Sequence, residues 1–326
     1  MKLLINTLKY ILFFAIGAGL LWYTFKGQSI IDIYDKISHA RMEWIALSLV
    51  ISFAALISRS LRWNLLIEPL GYKPALSSSF YSLMIGYFAN LAIPRIGEIT
   101  RCGALSKAEN VPFNKLVGTV IVERFLDLIM LAFSIIILGL MEHRLLGFLF
   151  KGIFEKFSDS KIILAIGAVC FLLALYVFSR WLRSSSSGKL KERINKILVE
   201  VTEGLKSVFR MKNGYAFVFH TFFIWIMYYL MMYVSFFALD STSGLGAKAG
   251  LFVMVAGGLG MSAPVQGGIG TYHFLVSQGL MVYNVSQTDG ITFATMVHTW
   301  QLIMLLVLGT ISLIALFLRN RKTKAY

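Results

Sequence analysis

Three short strings in this chain place chemistry-bearing residues among apolar neighbours. The first is Ile93-Pro94-Arg95-Ile96-Gly97-Glu98-Ile99-Thr100-Arg101. Pro94 lacks an N–H and restricts the residue before it, so an incoming helix breaks there. On a helix starting at Pro94, Arg95, Glu98 and Arg101 recur every three residues and share roughly one face. Two guanidiniums so placed suit a phosphate, which Arg grips bidentately. An interfacial helix with solvated charges is the structural alternative.

The second string is Val122-Glu123-Arg124-Phe125-Leu126-Asp127, inside a long apolar run. At 1.5 Å per residue, Glu123 lies about 12 Å and Asp127 about 18 Å beyond Lys115. Charges at such depth must be paired or wetted, so they face the interior of a bundle. Glu123 and Asp127 share a face at i, i+4, and Arg124 neighbours Asp127 at i, i+3. With the first string this gives Arg95, Arg101 and Arg124 against Glu98, Glu123 and Asp127. Such a neutral network is either structural or lines an ion or substrate path.

The third string, Gly257 to His273, holds six Gly and Pro264 in 17 residues. Irregular backbone is not tolerated against lipid, so the loop must be buried in protein or line a cavity. Gly267, Gly268 and Gly270 precede a helix expected from Thr271. Exposed N–H groups at a helix N-terminus suit an anion, with Gln266 and His273 as flanking polar groups. Close helix packing is the alternative use of these glycines.

The elements that position these strings follow from composition. Of 326 residues, 57% are hydrophobic and 14% charged, against about 25% charged in a soluble domain. The chain therefore reads as an all-α polytopic membrane protein, one integral domain over 1–326. Apolar runs of bilayer length lie at 8–25, 44–63, 116–141, 162–181, 215–239 and 291–318. Arg59 and Arg62, near the end of the second run, are able to snorkel to the surface. Two further stretches, 76–93 and 249–282, are interrupted by Pro and Gly.

Charge sets the orientation. Residues 180–212 carry nine Lys or Arg and three acids, and the tail carries Arg319, Arg321, Lys322 and Lys324. Residues 26–43 balance three against three, and 142–161 carry four basic and three acidic. Both termini and the 180–212 loop are thus expected in the cytoplasm, with the protein in the inner membrane. Parity then requires 64–115 and 240–290 to be broken or re-entrant hairpins, one entering from each face. Six spans plus two such hairpins make an inverted repeat: 1–181, a linker at 182–213, and 214–326. Within the linker, Leu190, Ile194, Ile197, Leu198, Val201, Leu205, Val208 and Phe209 share one face of an interfacial helix. Ser184 to Lys189 lacks the leading Gly and the Ser or Thr of a phosphate loop, so no nucleotide site is expected.

The net charge of +15 suits basic loops on anionic lipid rather than nucleic acid, for which no recognition module is present. Cys102 and Cys170 form no disulfide framework, and the five His are scattered without metal spacing. No cofactor, metal or catalytic residue is expected.

Together the ordered strings resemble the flippase-like family, also described as the lysylphosphatidylglycerol synthase transmembrane region. The likeness rests on Arg62-Trp63, the string Pro94–Arg101, Glu123-Arg124-x-x-Asp127 and Pro264–Gly270. Two positions depart from the family pattern: Gln266 stands where a second Pro is frequent, and His273 where a Glu is frequent. The resemblance implies a membrane protein that moves a lipid between leaflets, in some members fused to a soluble aminoacyl-transfer domain. The expected substrate is a lipid with an anionic, phosphate-bearing headgroup. Its binding set is Arg95, Glu98, Arg101, Glu123, Arg124, Asp127, Pro264, Gln266, Gly267, Gly268, Gly270 and His273. A membrane-embedded lipid-modifying enzyme, or a non-catalytic partner of a separate one, is the alternative. A second copy of the chain is a further candidate partner.

Overall fold

The computed structural model describes residues 2–141 and 211–323, and every regular element among them is helical. The span expected at 162–181, the interfacial helix over 189–210 and the Ser184–Lys189 loop lie outside the described residues. Helix α1 (Lys2–Phe25) takes the first apolar run and stops before Gly27, which sits at φ 77. A short helix α2 (Ile30–Ser38) follows, its first turn capped by the Ser29 hydroxyl, which accepts the Asp32 N–H at 3.2 Å. Helix α3 (Met42–Ile67) ends in a 3-10 turn closed by Gly71 at φ 89.

The first interrupted stretch is α4 (Leu76–Ala92) and α5 (Gly97–Glu109). Between them Ile93 is extended, at φ −131 and ψ 121, as the residue before a proline must be. Helix α6 (Phe113–Met141) starts just after Pro112, whose carbonyl accepts the Lys115 and Leu116 N–H groups. The second half begins with α7 (Gly214–Ser235). Then come α8 (Ala247–Ser262), the glycine loop, α9 (Thr271–Met281) and α10 (Gln287–Thr323).

Among the described residues, three segments, Met42–Leu70, Gly214–Ala238 and Gln287–Arg319, are long and apolar enough to cross a membrane. By contrast α4 has 17 residues and α8 has 16; at about 26 and 24 Å, neither alone crosses a hydrocarbon core about 30 Å thick. Each folds back onto the helix after its break, α4 on α5 and α8 on α9. The interruptions expected from Pro and Gly are therefore real breaks.

Packing around the breaks is paired between the halves. Helix α3 packs along α7; α4 packs on α10 and α8 on α6; α5 packs on α6 and α9 on α10. The largest core cluster lies in the second half, around Phe236, Val253, Tyr272, Phe293 and Val297. Close contact at the hairpins depends on glycine. A Cβ at Gly260 would lie 2.7 Å from the Tyr272 Cα, and one at Gly86 2.8 Å from the Gly97 carbonyl. Small residues let backbones approach where no hydrophobic drive separates helix from lipid.

Candidate functional site

Glu123 and Asp127 stand one turn apart on α6, and α3 sets Arg59 and Arg62 opposite them at the complementary i, i+3 spacing. Arg59 Nε donates to Glu123 Oε1 at 2.9 Å and its Nη2 to Asp127 Oδ2 at 2.8 Å. Arg62 Nη2 donates to Asp127 Oδ1 at 2.8 Å and lies 3.5 Å from Glu123. From α5, Arg101 Nη2 donates to Glu123 Oε2 at 3.0 Å. Arg124 pairs with Glu98 at 2.9 Å and reaches Asp127 at 3.6 Å. Aromatic side chains wall the cluster. The Arg101 guanidinium lies 4.8 Å over the Trp63 ring, and Arg59 Nη1 donates to the Tyr228 hydroxyl at 2.9 Å.

Two readings are corrected here. Arg59 and Arg62 do not snorkel to the surface; they are buried, at 5% and 0% exposure. Their carboxylate partners hold them inside more favourably than water at the end of an apolar helix. Arg95, in turn, is not in the network. Helix α5 starts at Gly97 rather than Pro94, so Arg95 sits in the break at φ 61 and shares no face with Glu98 and Arg101. The network is thus not neutral. Four guanidiniums (Arg59, Arg62, Arg101, Arg124) face three carboxylates (Glu98, Glu123, Asp127), leaving one positive charge.

That surplus has visible unused donors. Among the described residues, Nε and Nη1 of Arg62, Nε and Nη1 of Arg101, and Nε of Arg124 are buried without a hydrogen-bond partner. Buried polar groups left unpaired are costly, and charged ones more so. In the same network Glu98 Oε2 is likewise buried without a hydrogen-bond partner.

The two breaks meet at Arg95. Its Nη2 donates to the Ser262 carbonyl at 3.1 Å, at the last turn of α8. A cation there complements the exposed carbonyls and the negative end of the helix dipole. Across the same junction, the Leu91 side chain of α4 lies 3.2 Å from where a Cβ on Gly267 would be. The first break is further tied by the Asn90 side-chain carbonyl, which accepts the Gly97 N–H at 2.7 Å.

In the second break Gly267, Gly268 and Gly270 have φ of 55, 77 and 86, a region that L side chains rarely enter. Val265, Gly268 and Gly270 of the loop are buried, while Ile269 is 39% exposed. Gly270 lies against the Gly17 carbonyl of α1, and Thr271 Oγ1 donates to the Gly260 carbonyl at 2.7 Å. Helix α9 starts at Thr271, as read from sequence. Pro264 follows the extended Ala263 that ends α8, and Gln266 opens the 3-10 turn. His298 Nε2 donates to the Gly267 carbonyl at 2.9 Å, and its ring stacks on Tyr272 at 4.6 Å. His273 is buried with its ring 5.0 Å from that of His298.

Glu98, Arg101, Glu123, Arg124 and Asp127 therefore share one network. Arg95 joins the breaks to each other, and the glycine loop belongs with His273 and His298. Sequence reasoning missed three of these residues. Arg59 and Arg62 carried a signal, an i, i+3 cationic pair matching an i, i+4 acidic pair. His298 carried none, since its partner is a backbone carbonyl 31 residues away.

The family described as the lysylphosphatidylglycerol synthase TM region matches residues 10–309. A UPF0104 membrane protein of Methanocaldococcus jannaschii is 33% identical over 101 residues, covering 30% of this chain and 30% of that protein. The stretch shared with that relative spans under a third of its length. No solved structure matches the chain.

Proposed function

This chain belongs to the lysylphosphatidylglycerol synthase transmembrane-region family, and from that premise we propose that it moves a phosphate-bearing lipid between leaflets. One observation carries the proposal: a buried cluster holding one uncompensated guanidinium and five guanidinium nitrogens without a hydrogen-bond partner. A phosphodiester brings one negative charge and several acceptor oxygens, which match both deficits.

The physical obstacle to lipid translocation is the headgroup, not the chains. Carrying an ion to mid-bilayer costs a few kcal/mol or more unless it is paired or wetted. Arg124 lies about 14 Å along α6 from Lys115, near mid-depth of a hydrocarbon core about 30 Å thick. A fixed positive cluster there lowers the barrier for an anion, while the acyl chains stay among lipid. The family is a membrane one, and the finer placement is part of the proposal: the inner membrane, both termini cytoplasmic. The halves 1–181 and 214–326 then form an inverted repeat. The paired packing of α4 on α10 and α8 on α6, with breaks joined through Arg95 and Ser262, supports that symmetry.

Reconstitution tests the reading directly. Purified protein in vesicles with fluorescent phosphatidylglycerol should accelerate leaflet exchange, measured by dithionite quenching, and leave the lipid chemically unchanged. Exchange equal to protein-free vesicles would reject translocation. A modified lipid in the extract would instead mark the chain as an enzyme.

A further inference from the structure

A groove of about 400 Å³ runs between α5 and α6. Its walls are Ile99 and Cys102 from α5, and Val117, Ile121, Phe125 and Leu128 from α6, with Glu98 and Arg124 set into them. Ile99 and Leu128 are 61% and 64% exposed. On an integral membrane protein, apolar side chains so exposed on these helices face lipid rather than water. One ion pair therefore sits in an otherwise apolar trough, and that pair belongs to the charged network. Arg124 binds Glu98 at 2.9 Å on one side and approaches Asp127 at 3.6 Å on the other, with Nε left unpartnered.

Resting on the translocation reading, we propose that this groove is the lateral docking site for one acyl chain of a phosphate-bearing lipid, with Arg124 holding the phosphate. Two features select that occupant over an apolar helix of another protein. A helix would bury the Glu98–Arg124 pair without adding an acceptor, leaving the surplus charge uncompensated. A lipid phosphate supplies the missing negative charge and an acceptor for Arg124 Nε, the one Arg124 nitrogen outside its two ion pairs. The chain then lies along Val117, Ile121, Phe125 and Leu128, which recur at the helical spacing that makes one stripe. Arg124 thereby connects the lipid-facing groove to the interior, where Arg62 and Arg101 hold the other free N–H groups. Headgroup transfer from Arg124 to those donors would be a short step within one charge cluster.

Photo-crosslinking separates this site from the translocation activity. The probes are phosphatidylglycerol with a diazirine on one acyl chain, and diacylglycerol with the same chain, in vesicles holding the full chain. Phosphatidylglycerol should label peptides within 97–128. Arg124→Gln should weaken that labelling by about tenfold, the loss of one charged hydrogen bond, without changing the diacylglycerol pattern. Ile121→Trp and Val117→Trp, which fill the groove at different points, should each displace the label. Monodispersity of each variant is checked first, and either Trp variant suffices. Labelling spread over all lipid-facing helices and indifferent to these changes would overturn the site. Leaflet exchange with an unlabelled groove would overturn the site alone and leave translocation standing. A labelled groove in vesicles without exchange supports the site and rejects translocation.

Discussion

The two breaks solve one problem with opposite chemistry. In the first, α4 and α5 are separated by four residues, Ile93 to Ile96, and the helix after the break carries Glu98 and Arg101 into an ion network. In the second, α8 and α9 are separated by eight, Ala263 to Gly270, and the turn is made by three glycines at positive φ. The proline break needs little chain because a missing N–H and a restricted neighbour stop a helix outright. The second break, which also stops its helix before a proline, Pro264, consumes more chain; both bring backbone against backbone, Gly270 on Gly17 and Gly97 on Gly86. One break positions charge and the other positions helices.

If that division holds, removing charge from one side and space from the other should have different signatures. Glu123→Ala strikes hardest, because it removes the carboxylate paired with Arg101, takes one of two from Arg59, and loosens Arg62. Leaving buried guanidiniums uncompensated should cost about 3–5 kcal/mol, read from SDS-induced unfolding in mixed micelles. A loss smaller than that of the glycine variant below would reverse the assignment of roles.

Gly270→Val should come second. A side chain there meets the Gly17 carbonyl and must hold positive φ, which by itself costs about 1–3 kcal/mol. The expected result is a less stable protein that still inserts in the membrane, with protease accessibility of the α1 end increased. Wild-type stability and exchange in this variant would make the glycine break mere connection.

Arg95→Gly should be the mildest. Relief of a left-handed non-glycine residue recovers about 1–2 kcal/mol, while the hydrogen bond to Ser262 is lost at about 0.5–1.5 kcal/mol. Net stability should stay within about 1 kcal/mol of the parent by the same titration. Leaflet exchange should fall if the junction of the breaks matters to movement. An unchanged exchange rate confines Arg95 to structure.

Much of this comparison was legible from sequence. Pro94 and the glycine loop announced the breaks, the start of α9 at Thr271 was read correctly, and the depth of Glu123 and Asp127 forced them inward. The local rules of helix termination suffice for such features. The errors came where position depends on a neighbour. Arg59 lies 64 residues from Glu123, so no local rule distinguishes a snorkelling arginine from a paired one. Arg95 was misplaced by a shift of three residues in a helix start, enough to move a side chain from one face to a loop. Helix α2, nine residues long, is too short for the apolar-run rule that marks a membrane span. The role of Gly17 is invisible in one dimension, since only the arriving strand of loop gives it meaning.

Helix α10 has 37 residues, about 55 Å of continuous rod, and is fastened at both extremities. Near its start Asp289 binds Lys36 at 2.7 Å, and near its end Arg319 binds Glu109 at 3.3 Å and also holds Ser78. Helix α9 leans on its first third, with Ser277 at Gly290 and Tyr272 on His298, and α4 leans farther along, with Phe88 at Gly309. A rod tied at both ends resists tilting, and both hairpins rest on it, so displacement of either one strains an anchorage or loads the other.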